Sequence, residues 1–175
     1  MGYAIFDYDL DGGLDLFVAN GYLYPQADQT SAERRYIQRN QLFANRGVSE
    51  LGATRIDVFH TVSGCFEEVR GDPGSAVEKS SRSIASGGYD NDGDVDLLVL
   101  RGAWMGEEGR IPNSLLRNEG DGTFTDVTRQ VGLLTHHPSN SAAFADYDND
   151  GWLDLFVGNE SGRQPHPCQL FNNRG

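Results

Sequence analysis

Positive charge is scarce in this chain. Its 175 residues hold 14 Lys and Arg against 26 Asp and Glu, a formal net charge of −12. With no basic stripe to neutralise phosphates, nucleic acid is excluded as an expected partner. Cysteine is equally thin. Cys65 and Cys168 stand 103 residues apart, which makes neither a disulfide framework nor a zinc-like spacing. They read as two separate small core residues. No stretch approaches the ~20 apolar residues of a membrane span. Helical periodicity is weak everywhere. Only "AERRYIQRNQ", from Ala32 to Gln41, reads as a turn or two of helix.

A leader is also missing from the visible start. Met1 runs directly into "GYAIFDYD", with no basic start and no long apolar run. The last residues, Cys168 to Gly175, copy a motif that elsewhere lies inside a repeat. The expectation is a piece of a longer protein.

What the chain does have is local and repeated. The stretch "DYDNDGWLDLFVGN" (Asp146 to Asn159) has two relatives, "DYDLDGGLDLFVAN" (Asp7 to Asn20) and "GYDNDGDVDLLVLR" (Gly88 to Arg101). Aligning their Asp-Gly pairs puts Asp11, Asp92 and Asp150 in register, 81 and then 58 residues apart. A second motif follows each. It reads "NQLFANRG" (Asn40 to Gly47), "NSLLRNEG" (Asn113 to Gly120) and "CQLFNNRG" (Cys168 to Gly175). Two motifs in the same order, three times over, make an internal repeat.

Within one repeat the pattern is short strands and turns. After the middle acidic loop come "DLLVL" (Asp96 to Leu100), "NSLLRN" (Asn113 to Asn118), an Asp-Gly turn in "EGDGT", and "TFTDVT" (Thr123 to Thr128). With the lead-in "SIASGGY" this predicts four short antiparallel strands per repeat. Strands at a spacing near 60 residues are the signature of a β-propeller blade. The expected fold is all-β: a partial propeller of about three four-stranded blades. Blade one spans 1–81 with long insertions, blade two 82–138, and blade three 139–175, incomplete. The insertion from Gly21 to Asn40 reads as a loop leaving one rim, made locally positive by Arg34, Arg35 and Arg39.

The loops carry the chemistry. Numbered from Asp146, carboxylates stand at positions 1, 3, 5 and 9, and Gly151 at position 6 lets the backbone turn sharply. Acids at 1, 3 and 5 of a tight turn can point into one centre, with a backbone carbonyl at 7 and the acid at 9 closing the cage. Oxygen-only ligands of flexible number suit Ca²⁺, which takes about 6–8 at roughly 2.3–2.6 Å, and suit Mg²⁺ less well. The absence of Cys and His from the loops disfavours zinc and soft metals. An EF-hand is ruled out by position 12, which is Val18, Val99 and Val157 rather than Glu, and by the strand that follows. The candidate ligands are Asp7, Asp9, Asp11 and Asp15; Asp90, Asp92 and Asp96; and Asp146, Asp148, Asp150 and Asp154. The middle loop has Gly88 where the others have an acid. It also carries Asp94 at position 7, whose side chain is expected to point away. It is therefore the expected weak site. Exposed turns also favour Asp and Gly, but one copy would suit that reading better than three.

At these residues the chain resembles the FG-GAP/VCBS repeat family, the calcium-loop propellers also seen in integrin α-subunit heads. "DLFVANGYLYP" and "NSLLRNEG" resemble the bacterial secreted ASPIC/UnbV, or cartilage-acidic-protein-like, group. The resemblance implies a propeller of about seven blades, an extracellular, cell-surface or periplasmic location, and a non-catalytic role. In that role rim loops meet a protein or glycan, and the remaining blades of the same propeller are partners too. The rival expectation is the accessory part of a polysaccharide-acting enzyme. Other signals carry less. "RGD" at Arg70 to Asp72 is a three-letter match, "NES" at Asn159 to Ser161 is a bare sequon, and adjacent His136 and His137 would face opposite ways in a strand. No nucleophile–base arrangement has a readable context.

Overall fold

Each acidic loop leads into a β-branched and apolar run, and each of those runs is the second strand of an antiparallel sheet. The structure, a computed structural model, describes residues 2–21, 38–46, 66–69, 80–103, 105, 109–160 and 165–175. The first sheet is β1 (Gly2–Phe6), β2 (Asp15–Ala19), β3 (Gln41–Asn45) and β4 (Phe66–Glu68), in that order. The second is β5 (Ser81–Gly87), β6 (Asp96–Arg101), β7 (Ser114–Asn118) and β8 (Phe124–Asp126). The third has three strands, β9 (Ser139–Ala145), β10 (Asp154–Asn159) and β11 (Gln169–Phe171), with β10 in the middle. All neighbouring strands pair antiparallel, and each acidic loop joins the first two strands of its sheet.

The all-β expectation therefore holds, with three sheets of three or four strands and no helical element among the described residues. Most of the stretch expected to be helical lies outside those residues, and its last residue, Gln41, opens β3. The Gly21 to Asn40 insertion is likewise mostly outside them, as are Cys65 and the RGD tripeptide.

The sheets stack face to face, and strand periodicity decides which residue faces which neighbour. In β6 every residue is buried. Leu97 and Val99 join Phe6, Phe17 and Leu42 of the first sheet in one core, while Leu98 and Leu100 join Leu155 and Val157 of the third in another. The continuous apolar run "LLVL" is what a strand covered on both faces requires. β2 instead alternates buried and half-buried, since its sheet is packed on one face. Phe124 and Val127 enter opposite cores. Each fully buried Leu of β6 contributes about 1.5–3 kcal/mol over an exposed one.

The two outer faces remain open. Tyr3 and Ile5 are exposed on the far side of the first sheet, and Phe156 and Leu170 on the far side of the third. The sheets are also tied by hydrogen bonds. Asn118 Nδ2 donates to the Tyr8 carbonyl at 2.9 Å, and Asn173 Nδ2 donates to the Tyr89 carbonyl at 2.6 Å. At the other end of the strands, Ser81 N donates to the Asn20 carbonyl at 3.0 Å.

Candidate metal centre

The three acidic loops fold alike because the same residues set the same turns. Position 4 is left-handed in all three: Leu10 at φ 55°, Asn91 at 58° and Asn149 at 61°. Position 6 is Gly12, Gly93 or Gly151, at φ 88°, 103° and 92°. Asn tolerates the left-handed region and Gly occupies it freely, but Leu10 does so at a cost.

The acid at position 9 is the anchor. Asp15, Asp96 and Asp154 are each at most 1% exposed. One oxygen of each accepts the N–H of the residue at position 2: Tyr8 to Asp15 at 2.9 Å, Tyr89 to Asp96 at 2.8 Å, Tyr147 to Asp154 at 3.0 Å. The other accepts an N–H from the third strand or the residues just after it: Asn45 at 2.7 Å, Asn118 at 2.9 Å, Asn173 at 2.8 Å. Those Asn residues belong to the second motif, so the two sequence motifs meet at this carboxylate. Burial pushes the Asp96 carboxyl up to about 7, against the pull of its two N–H donors. Burial raises Asp15 as well, and raises Asp90 together with the nearby charge of Asp92.

Position 1 serves the turn. Asp7 accepts the N–H groups of Asp11 and Gly12 at 3.1 and 2.9 Å, and Asp146 accepts those of Asp150 and Gly151 at 3.1 and 3.0 Å. Position 5 accepts the N–H two residues on: Asp11 from Gly13 at 2.7 Å, Asp92 from Asp94 at 2.9 Å, Asp150 from Trp152 at 2.9 Å. Ligand oxygens of Asp7, Asp9 and Asp15 lie within 4.8 Å of one another, and so do those of Asp146, Asp148 and Asp154. Asp11 and Asp150 stand outside these groups, and Asp90, Asp92 and Asp96 of the middle loop do not gather so closely.

The donor set fits a hard cation. Asp9 Oδ1 and Asp90 Oδ1, both at position 3, are buried and have no hydrogen-bond partner among the described residues. A buried carboxylate oxygen left bare is costly, and a divalent ion would satisfy it. In the third loop Asn172 Nδ2 donates instead to Asp148 Oδ2 at 2.7 Å. Arg46 lies 3.7 Å from Asp9 Oδ2, a long and partly exposed ion pair. In the middle loop the Asp94 carbonyl oxygen lies 2.9 Å from where a Cβ on Gly88 would stand, while the Asp94 carboxylate lies beside Gly120.

Residues 81–157 match the family model described as FG-GAP-like repeat. That stretch is similar to an FG-GAP-like repeat. The matched span starts with β5, takes in the middle acidic loop and ends in β10, just past the third. Cartilage acidic protein 1 of Homo sapiens is 41% identical over 60 residues, and that of Xenopus tropicalis is 39% identical over 63. The mouse protein is 39% identical over 60 residues. These matches cover 34–35% of this chain and 9% of each relative's own length. No helix among the described residues is long and apolar enough to cross a membrane.

The structure also brings together residues that sequence spacing kept apart. His137 and His166, 29 positions apart, face each other through their Nδ1 atoms at 3.0 Å. His136 takes no part in that pair. Cys168 is free and exposed. The backbone donors Asn45, Asn118 and Asn173 were visible only as the shared Asn of the second motif.

Proposed function

We propose that this chain is a calcium-stabilised, non-catalytic segment of an extracellular or cell-surface repeat propeller. Its rim loops meet a protein or glycan, and further blades of the same propeller cover its outer faces. The observation that carries the calcium reading is the orphaned, buried Oδ1 of Asp9 in a loop whose carboxylates converge, with Asp90 Oδ1 of the middle loop orphaned in the same way. Four acids within nine residues repel one another in the empty loop, and a divalent cation removes that repulsion. The candidate ligands in the first and third loops are Asp7, Asp9, Asp15 and Asp146, Asp148, Asp154, with Asp11 and Asp150 each keeping one oxygen outside the turn hydrogen bonds noted above. In the middle loop Asp90, Asp92 and Asp96 act without a first acid, and calcium binds there most weakly.

A non-catalytic role is supported by repetition. The same acid pattern recurs before the same strand in each sheet, as suits a structural ion better than a single reacting centre. A likeness to relatives named cartilage acidic protein supports an extracellular setting.

Thermal melts in EDTA, Mg²⁺ and Ca²⁺ test this. A ligand at 100 times its Kd stabilises the folded state by about 2.7 kcal/mol per site. The expected order of melting temperatures is Ca²⁺ above Mg²⁺ above EDTA. Equal values in all three overturn the calcium reading.

A further inference from the structure

Arg101 ends β6 and is 0% exposed. It takes the last place of the repeated acidic stretch, where the other two copies have Asn20 and Asn159. In those sheets the Asn amide has two jobs. Asn20 Nδ2 donates to the Arg39 carbonyl and to Gln41 Oε1, both at 3.0 Å. Asn159 Nδ2 donates to the Pro167 carbonyl at 2.8 Å and to Gln169 Oε1 at 3.2 Å. Arg101 does both with Nη1 alone, which donates to the Pro112 carbonyl at 3.0 Å and to Ser114 Oγ at 2.8 Å. Ser114 stands where the others have Gln, and its shorter side chain makes room for the longer Arg. One nitrogen therefore meets the structural need, and the rest of a guanidinium is added to it. Its Nε and Nη2, side by side on another edge of the group, are buried and have no hydrogen-bond partner among the described residues.

A second bare donor lies at the same joint. Arg101 is two residues past Val99, so it shares the face of β6 that packs on the first sheet. It pairs with Ser81, whose N–H donates to the Asn20 carbonyl, and Asn20 N donates in turn to Asn40 Oδ1 at 3.1 Å. Asn40 is 2% exposed, and its Nδ2 has no hydrogen-bond partner among the described residues. At the next joint the matching amide, Asn113 Nδ2, donates to Ser139 Oγ at 2.8 Å. Among the described residues the charge that reaches Arg101 is that of Asp126, whose Oδ1 is already taken by the N–H and hydroxyl of Thr128. Burial pulls the Arg101 guanidinium down to about 10. A buried guanidinium without a counter-charge is costly, and its two parallel N–H groups match two oxygens of one oxyanion. We infer that the joint between the first and second sheets, at the end of the strands away from the acidic loops, binds a small oxyanion, a carboxylate or a tetrahedral equivalent, side-on at Arg101 Nε and Nη2. The site lies between two sheets that are both described, and it needs neither a metal in the loops nor any further blade.

The probes are acetate and sulfate, titrated into the full chain at fixed calcium and ionic strength, with chloride as the reference salt. Melting temperature and heat of binding are the readouts. Both oxyanions are expected to raise the melting temperature saturably, with one bound per chain. Sulfate also stabilises proteins in general by exclusion from their surface, and a double variant, Arg101→Asn with Ser114→Gln, subtracts that part. It restores the Asn and Gln of the other two sheets. It is expected to fold at least as stably as the parent in chloride and to lose the saturable response. Arg101→Lys keeps the charge but not the fork, and is expected to bind about tenfold more weakly. A parent that melts alike in all three salts and shows no heat of binding overturns the proposal and leaves water at the fork. A double variant that binds either oxyanion as tightly as the parent also overturns it. A response to one oxyanion alone upholds the site and tells planar from tetrahedral. Should Arg101→Lys fail to fold, the comparison of parent with double variant decides.

Discussion

Asp15→Asn separates the two jobs of the closing carboxylate. Asp15 is 1% exposed and accepts two backbone N–H groups, Tyr8 at 2.9 Å and Asn45 at 2.7 Å. Asparagine matches its shape but offers only one acceptor oxygen. Its NH₂ then faces a backbone donor, and one buried N–H is left without a partner at a cost of about 1–3 kcal/mol. The remaining bond falls from charge-assisted to neutral, worth about 1 kcal/mol more. Removing a buried charge returns part of this, as the raised Asp15 pKa shows. The net expectation is a loss of about 2 kcal/mol, measured by urea unfolding in EDTA, where no metal contributes. Asp9→Asn is the contrast. Its Oδ1 has no partner to lose, and it removes repulsion with Asp7 and Asp15, so in EDTA it is expected to be neutral or slightly stabilising. In calcium both variants lose stability. If Asp15→Asn unfolds within ~0.5 kcal/mol of the parent in EDTA, the anchoring role is wrong.

Four further outcomes are expected. Leu10→Asn replaces a left-handed Leu by the residue found at the same place in the other two loops, and should raise stability by about 1 kcal/mol in a denaturant melt. Gly87→Ala puts a Cβ 2.9 Å from the Phe144 side chain, wedging the second and third sheets apart at a cost of about 1–3 kcal/mol by the same assay. Gly88→Asp supplies the missing acid but places its Cβ 2.9 Å from the Asp94 carbonyl oxygen, so it should lower the melting temperature in EDTA while tightening calcium in a titration. The Asp96 carboxyl, lifted by burial to about 7 in the folded chain, favours folding fully below its ordinary value near 3.8 and loses that contribution as pH rises through about 7. In EDTA, Asp96→Asn should therefore flatten the stability–pH curve between about pH 4 and 7; an unchanged slope refutes the shift.

The four short strands of the second sheet were legible because they follow from run length and turn residues, whereas the two-sided burial of β6 became plain only in the fold. "LLVL" is continuous and doubly covered, while "DLFVA" alternates and is covered once. The acid pattern located the loops, but spacing cannot say which way a carboxylate turns. Asp11, Asp92 and Asp150 bend onto the next turn's N–H, whereas Asp9 and Asp148 aim inward. The Asn donors reach carboxylates 19 to 30 positions away, a distance no local signal spans. The Tyr of each loop shows the same limit. Tyr8 is 4% exposed beneath the second sheet, while Tyr147, in the same motif, is 53% exposed because no sheet follows it among the described residues.

The side-chain amides that tie each sheet to the loop before it give the array a direction. Asn118 reaches back to Tyr8, and Asn173 reaches back to Tyr89, so the second unit donates to the first and the third donates to the second. During synthesis the acceptor always emerges from the ribosome before its donor, and each new unit meets a finished surface to close upon. Because both joints use the same pair of groups, deleting the gene segment for the middle unit leaves Tyr8 and Asn173 as a matching pair. Duplication and loss of whole units are therefore neutral to the joint itself, and evolution can change how many units there are without redesigning how they meet.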